Sequence, residues 1–358
     1  MDTKKFWQEN WQCNKPFSTE KKRAPLSLIF EDHFITHLTR MPSTVRYYKD
    51  PAYAAEINRQ ANDLLEDEIG RRCYSDDSVL RVKGSFEVVM GAFPDIREGN
   101  APWLEQAVTD IDDVKALIRK AEKMDMKMTI PEAWLGEKRK LKESCGKKLL
   151  FSHGPNGPAT MASNLLGTTN LCIYIMEEPE VMKDFFDVMT TKYIEFYETV
   201  LMEDWGFVSY EGIWINDDNC YLFPPKQYEL FCAPMMLRFF EKFAPLPEHT
   251  RSQHSDSSMG HLMGILYDLG VNMVNLGPDI HPSAIRKAMP KAFINGQTPP
   301  FVLRDGTPAM IDAYVLRNFE CIGGDGGYAE SLAGVVPEST PLENIRAYMS
   351  AVERLTRY

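Results

Sequence analysis

The chain has 358 residues, 44% of them hydrophobic, and a formal net charge of −11. So much apolar material supports a large core and argues against wholesale disorder. An acidic chain with no basic block is a poor partner for nucleic acid, whose phosphates need clustered Lys and Arg.

Several other classes drop out at once. No uninterrupted apolar stretch reaches bilayer-spanning length, and residues 1–7 lack the apolar heart of a signal peptide. The seven cysteines are scattered and form no Cys-x-x-Cys, so they read as reduced thiols in a cytoplasmic protein. Residues 1–24 read as an irregular or helical lead-in. Eight short strands are expected after it, at 25–30, 79–82, 148–152, 207–215, 250–254, 273–276, 292–295 and 321–324. Helical stretches alternate with them, which argues for an α/β protein with a parallel sheet, and eight is the number a closed (β/α)8 TIM barrel needs. The clearest helix runs over 180–202, where Val181, Phe185, Phe186, Met189, Tyr193, Phe196 and Val200 recur at spacings of three and four. Further helices are expected at 227–243, 259–269 and 341–355. Residues 110–145 are charged and helical with a break at Pro131, and read as an insertion outside a single barrel domain covering 25–358.

The polar signals gather late in the chain, after short apolar runs: His254-Ser255-Asp256, Asn275-Leu276-Gly277-Pro278-Asp279, Asn295-Gly296-Gln297 and the glycine-rich run 323–327. In a (β/α)8 barrel, residues just past the strands converge on one mouth, where chemistry sits. His254 and Asp256, two apart at a strand end, can face the same side. They suit either a divalent-metal shell or a general base with its orienting acid. Asp217, Asp218, Glu211, His281 and Asp279 are candidates to complete a metal shell. The Asp217-Asp218 pair could equally cap a helix or shape a turn. The glycine run meets neither nucleotide-loop pattern and is expected to let backbone approach a ligand or turn tightly, with Tyr328 and Glu330 projecting into the pocket. Met124, Met126 and Met128 read as packing, or as a surface for a partner.

Over about 25–355 the chain resembles the uroporphyrinogen decarboxylase family, which includes decarboxylases and zinc- and corrinoid-linked methyltransferases. The resemblance lies in the ordered series Gly157-Pro158-Ala159-Thr160-Met161, Ile215-Asn216-Asp217-Asp218, Phe223-Pro224-Pro225, His254-x-Asp256, Asn275-Leu276-Gly277, Asn295-Gly296-Gln297-Thr298-Pro299, Gly306-Thr307-Pro308 and Ser339-Thr340-Pro341. It implies the barrel fold. It also implies that Asp76 or Asp77, Asn164 and Asp325 meet substrate, and that Asp218 is the inward member of its pair. His153, by its own place just after the third strand, is expected to reach substrate, as is Tyr328 after the glycine run. The decarboxylases' two arginines after the first strand are missing, since the stretch here reads Ile29-Phe30-Glu31-Asp32-His33. A polycarboxylate would be repelled there. The methyltransferases' zinc-binding His-x-Cys reads His254-Ser255-Asp256, and their later Cys falls on Ala333 or Gly334.

The leading expectation is therefore a methyltransferase that moves a methyl group from a small, methoxylated donor to a corrinoid on a partner protein. His254, Asp256 and Asp218 are its catalytic residues, with zinc or another divalent ion held there. The alternatives are metal-independent decarboxylation of a carboxylated aromatic or tetrapyrrole, and a non-catalytic binding barrel. A homodimer is expected from the resemblance.

Overall fold

Short runs, most of them apolar, become parallel strands, and the amphipathic stretches between them become the helices that cover them. In the computed structural model, residues 1–358 are described except 31, 75–78, 82–84, 101, 131, 147 and 151–153. The strands are β1 (Val79–Arg81), β2 (Phe93–Asp95), β3 (Trp103–Glu105), β4 (Lys148–Leu150), β5 (Gly212–Asn216), β6 (Thr250–Ser255), β7 (Met273–Leu276), β8 (Phe293–Asn295) and β9 (Tyr328–Ala329). The architecture is a (β/α)8 barrel. β5 to β9 form one parallel sheet in sequence order, and β1 pairs in parallel with β4. Parallel bridges carry the ring onward: Asn156 with Asn216, Leu26 with Glu330 and Phe30 with Val336. The extended segment 25–30 thus lies beside the last strand, with the Ser27 amide donating to the Glu330 carbonyl at 2.8 Å.

The helix Pro179–Trp205 shows why the outer layer forms. Proline occupies its first turn, where a missing N–H costs nothing. Phe185, Phe186, Met189, Tyr193, Phe196 and Val200 are all buried along one face. Each large side chain so buried contributes about 1.5–3 kcal/mol of transfer free energy. The helix ends where Gly206 adopts a left-handed conformation, φ +75°. Helix Ile111–Lys123, within the expected insertion, packs along it. Helix Thr3–Gln12 occupies the lead-in and is capped by Asp2.

Three features depart from the sequence reading. The antiparallel hairpin β2–β3 was not expected. The strand expected at 207–215 begins only at Gly212. The one expected at 321–324 is instead a π-helical turn, Phe319–Gly323, and the true strand is Tyr328–Ala329. The glycine run therefore precedes its strand and lies at the end of the barrel opposite the mouth. Its close approach is to the chain itself. A β-carbon on Gly326 would strike the Ser18 backbone at 2.4 Å, and one on Gly327 would strike the Phe17 ring at 2.4 Å.

Candidate active site at the barrel mouth

β6 alternates its side chains between two environments. Gln253 and Ser255 are fully buried and turn toward Cys220 of the 3-10 turn Asp218–Leu222, at 3.9 and 3.8 Å. His254 takes the opposite face, toward the barrel axis. Asp256, just past the strand, joins it there: Nε2 of His254 and Oδ1 of Asp256 are 3.4 Å apart. The imidazole is 14% exposed and the carboxylate 49%, so the pair can meet a ligand from solvent.

Neighbouring strand ends hold this pair in place. Register sets Asn216, His254 and Asn275 side by side on β5, β6 and β7. The Asn275 side chain reaches His254 Nδ1 through Oδ1 at 2.8 Å. Asp218 accepts the backbone N–H of Asp256 at 2.8 Å through Oδ1. The Asp217 amide donates to the His254 carbonyl at 2.9 Å. The two adjacent acids thus divide their work. Asp218 stays half-buried beside the pair, while Asp217 turns away and is fully buried. Asp217 Oδ1 accepts the Thr160 amide at 2.8 Å, capping helix Pro158–Leu166, whose own N-cap residue Gly157 has no side chain to do so. Burial pushes the Asp217 carboxyl up to about 7, although the Thr160 amide and hydroxyl pull it down.

Other candidates lie elsewhere. Glu211 is exposed and precedes β5, its carbonyl accepting the Thr250 amide, so it marks the far end of the strands from His254. His281 is exposed and caps helix Pro282–Ala288, with Nδ1 2.8 Å from the Ser283 hydroxyl. Asp279 accepts the Ser258 hydroxyl. Asp325 precedes β9 and faces Arg286 at 3.4 Å, at the end opposite the mouth. Tyr328 is wholly buried, its hydroxyl on the Glu330 carboxylate. Glu330 is wholly buried too, and also receives the Tyr348 and Thr298 hydroxyls. Asn164 is half-buried in the last turn of its helix, at the end away from Asp217. Glu31, Asp76, Asp77 and His153 lie outside the described residues.

Among the described residues, no three of His, Cys, Asp and Glu converge as a metal site. His254 Nε2 and the Asp256 carboxylate are two donors, whereas Asp218 already serves the Asp256 amide. A catalytic zinc takes three protein ligands, so the described residues do not make its shell. The arrangement can hold a proton between imidazole and carboxylate and present it to a ligand.

Comparison with known proteins adds three findings. The family model described as uroporphyrinogen decarboxylase matches residues 42–355. A methyltransferase from Methanosarcina mazei shares the fold, with a TM-score of 0.62 over 98% of each chain at 15% identity. No curated protein sequence matches.

Proposed function

The chain belongs to the uroporphyrinogen decarboxylase family, and on that premise we propose that it is an enzyme moving a methyl group from a small oxygen-bearing donor at the barrel mouth to a corrinoid on a partner protein. The observation that carries this reading is the His254–Asp256 pair, 3.4 Å apart and open to solvent. The resemblance puts a zinc-bound thiolate at the second of these positions, where this chain carries a carboxylate. A thiolate site suits sulfur donors. A proton-bearing imidazole suits a methoxy donor, whose leaving oxygen gathers negative charge. The methyltransferase from Methanosarcina mazei, similar over its whole length, supports the choice of group transfer.

The chemistry needs one proton and one electron pair. As the methyl–oxygen bond breaks, its electrons stay on oxygen, which takes the proton from His254 Nε2. Asp256 stabilises the imidazolium beforehand and reloads it from solvent afterwards. A bound corrinoid would supply the electron pair that receives the methyl group. Asp218, through the Asp256 amide, keeps the carboxylate in reach of the ring. A positioned general acid is worth about 10²–10⁴ in rate.

The test uses purified protein with reduced free corrinoid and a panel of methoxylated aromatics and methylamines, following both the demethylated product and the methylated corrinoid. Demethylation of an oxygen donor that falls by about 10²–10⁴ in His254→Gln supports the reading. Carbon dioxide release from carboxylated aromatics without corrinoid, or unchanged demethylation in His254→Gln, would overturn it.

A further inference from the structure

We infer that Asn275 is a positioning residue that decides which nitrogen of His254 carries the ring proton. Asn275 is wholly buried, and its amide is held from three sides. Its Nδ2 donates to the Leu332 carbonyl at 2.9 Å and to the Asn295 carbonyl. Both amide hydrogens are then used on backbone oxygens that can only accept. Turning the amide over would set its oxygen against both carbonyls. The orientation is therefore fixed, and Oδ1 must be the atom facing His254 Nδ1 at 2.8 Å. An amide oxygen has no hydrogen to give, so Nδ1 must be the donor.

The consequence falls on the other nitrogen. With Nδ1–H fixed in both charge states, Nε2 is the only ring atom that gains or loses a proton, and Nε2 is the one facing Asp256 Oδ1 at 3.4 Å. In the neutral ring a lone pair confronts a carboxylate oxygen. A donor group of the ligand placed between them would meet both acceptors.

A second observation points the same way. Gly296 has a φ of +122°, and a β-carbon there would lie 2.8 Å from Asn275 Nδ2 and 2.7 Å from the Leu332 carbonyl oxygen. A side chain at 296 would therefore crowd the Asn275 amide and the carbonyl that holds it.

This inference deepens the proposed role of His254 as proton donor, and its test reads the ring directly, so it stands or falls separately from turnover. The full-length protein is labelled with ¹⁵N-histidine, and the His254 signals are assigned by their loss in His254→Gln. In the neutral ring, Nδ1 is expected to be protonated and Nε2 to be pyridine-like. Asn275→Leu is expected to move the ring toward the Nε2–H form by at least about tenfold in population, because free imidazole side chains prefer that form. Gly296→Ala, which keeps Asn275 but crowds its amide, is expected to shift it in the same direction. It also decides the matter if Asn275→Leu does not fold. If the ring stays doubly protonated throughout the folded pH range, slow solvent exchange of Nδ1–H beside faster exchange of Nε2–H supports the assignment. A wild-type Nε2–H form, a tautomer unmoved in a folded variant, or the reverse order of exchange would overturn it.

Discussion

Gly334 stands against the carboxylate of Asp256: a β-carbon at 334 would lie 3.0 Å from Oδ1, on a backbone with φ +123°. Of the two positions, 333 and 334, on which the resemblance's second thiolate falls, Gly334 thus offers no side chain, and the carboxylate of Asp256 takes up the space. Gly334→Ala should meet two penalties. The left-handed backbone costs about 1–3 kcal/mol for a residue with a β-carbon. The methyl group also pushes Asp256 away from His254. Urea unfolding should show the first, and initial rates should show kcat falling with little change in KM. A stable, fully active Gly334→Ala would contradict both.

Two buried acids set the pH dependence of stability. Burial pushes Asp217 up to about 7 and Glu330 to about 8, from ordinary values of 3.8 and 4.5. Between the ordinary and the raised value, each group is protonated in the folded chain and ionised in the unfolded one. The folded state then binds more protons, so stability is full in acid and declines as pH rises toward about 8. The melting temperature should fall between pH 5 and 8, by roughly 2 °C for each kcal/mol lost. Glu330→Gln cannot ionise and should flatten the upper part of the decline. A melting temperature that climbs over this window, or a Glu330→Gln slope equal to wild type, would refute the assignment.

β7 and β8 were legible because each is a short, mostly apolar run, whereas β6, Thr250–Ser255, carries no apolar residue and was marked only by the polar signal at its end. The pairing of His254 with Asp256 was legible because a strand repeats its facing every two residues. Asp325 was misplaced because Cys321–Gly324 has a strand's composition but completes a π-helical turn, while its real strand is only two residues long. Glu211 was misplaced because the apolar run from Phe207 begins before the strand does. Asn275 was read only as part of a strand-end signal. Its role depends on carbonyls 20 and 57 residues away, and no local pattern announces that.

The lead-in is tied to the C-terminal helix by a buried guanidinium. Arg23 is fully buried, lies over the Phe6 ring, and reaches Glu353 at 2.8 Å and Asn10 Oδ1 at 2.8 Å. Lys22, on the same glutamate at 2.5 Å, is 43% exposed. Breaking a buried pair leaves a charge and several acceptors without partners, at about 3–5 kcal/mol. Lys22 should offset some of this at Glu353, so Arg23→Met should cost about 3 kcal/mol in urea unfolding. Lys22→Ala should cost less than about 1 kcal/mol. Equal costs would mean that burial does not separate the two contacts.

Asp218 and Asp256 should behave as one unit in catalysis. The Asp218 carboxylate does not touch His254 in any described contact; it accepts the N–H of residue 256, and so acts on the ring only through the loop that carries Asp256. Asp218→Ala should therefore lower kcat by about tenfold, roughly one hydrogen bond to a charged acceptor. Asp256→Asn should lower it further, because the imidazolium loses its counter-charge. In the double variant the Asp218 loss should largely vanish, since there is no longer a carboxylate for it to position. The coupling expected for residues sharing one network is about 0.5–3 kcal/mol. Initial rates of wild type, both single variants and the double variant close the cycle. Purely additive losses would mean that Asp218 meets the substrate on its own account.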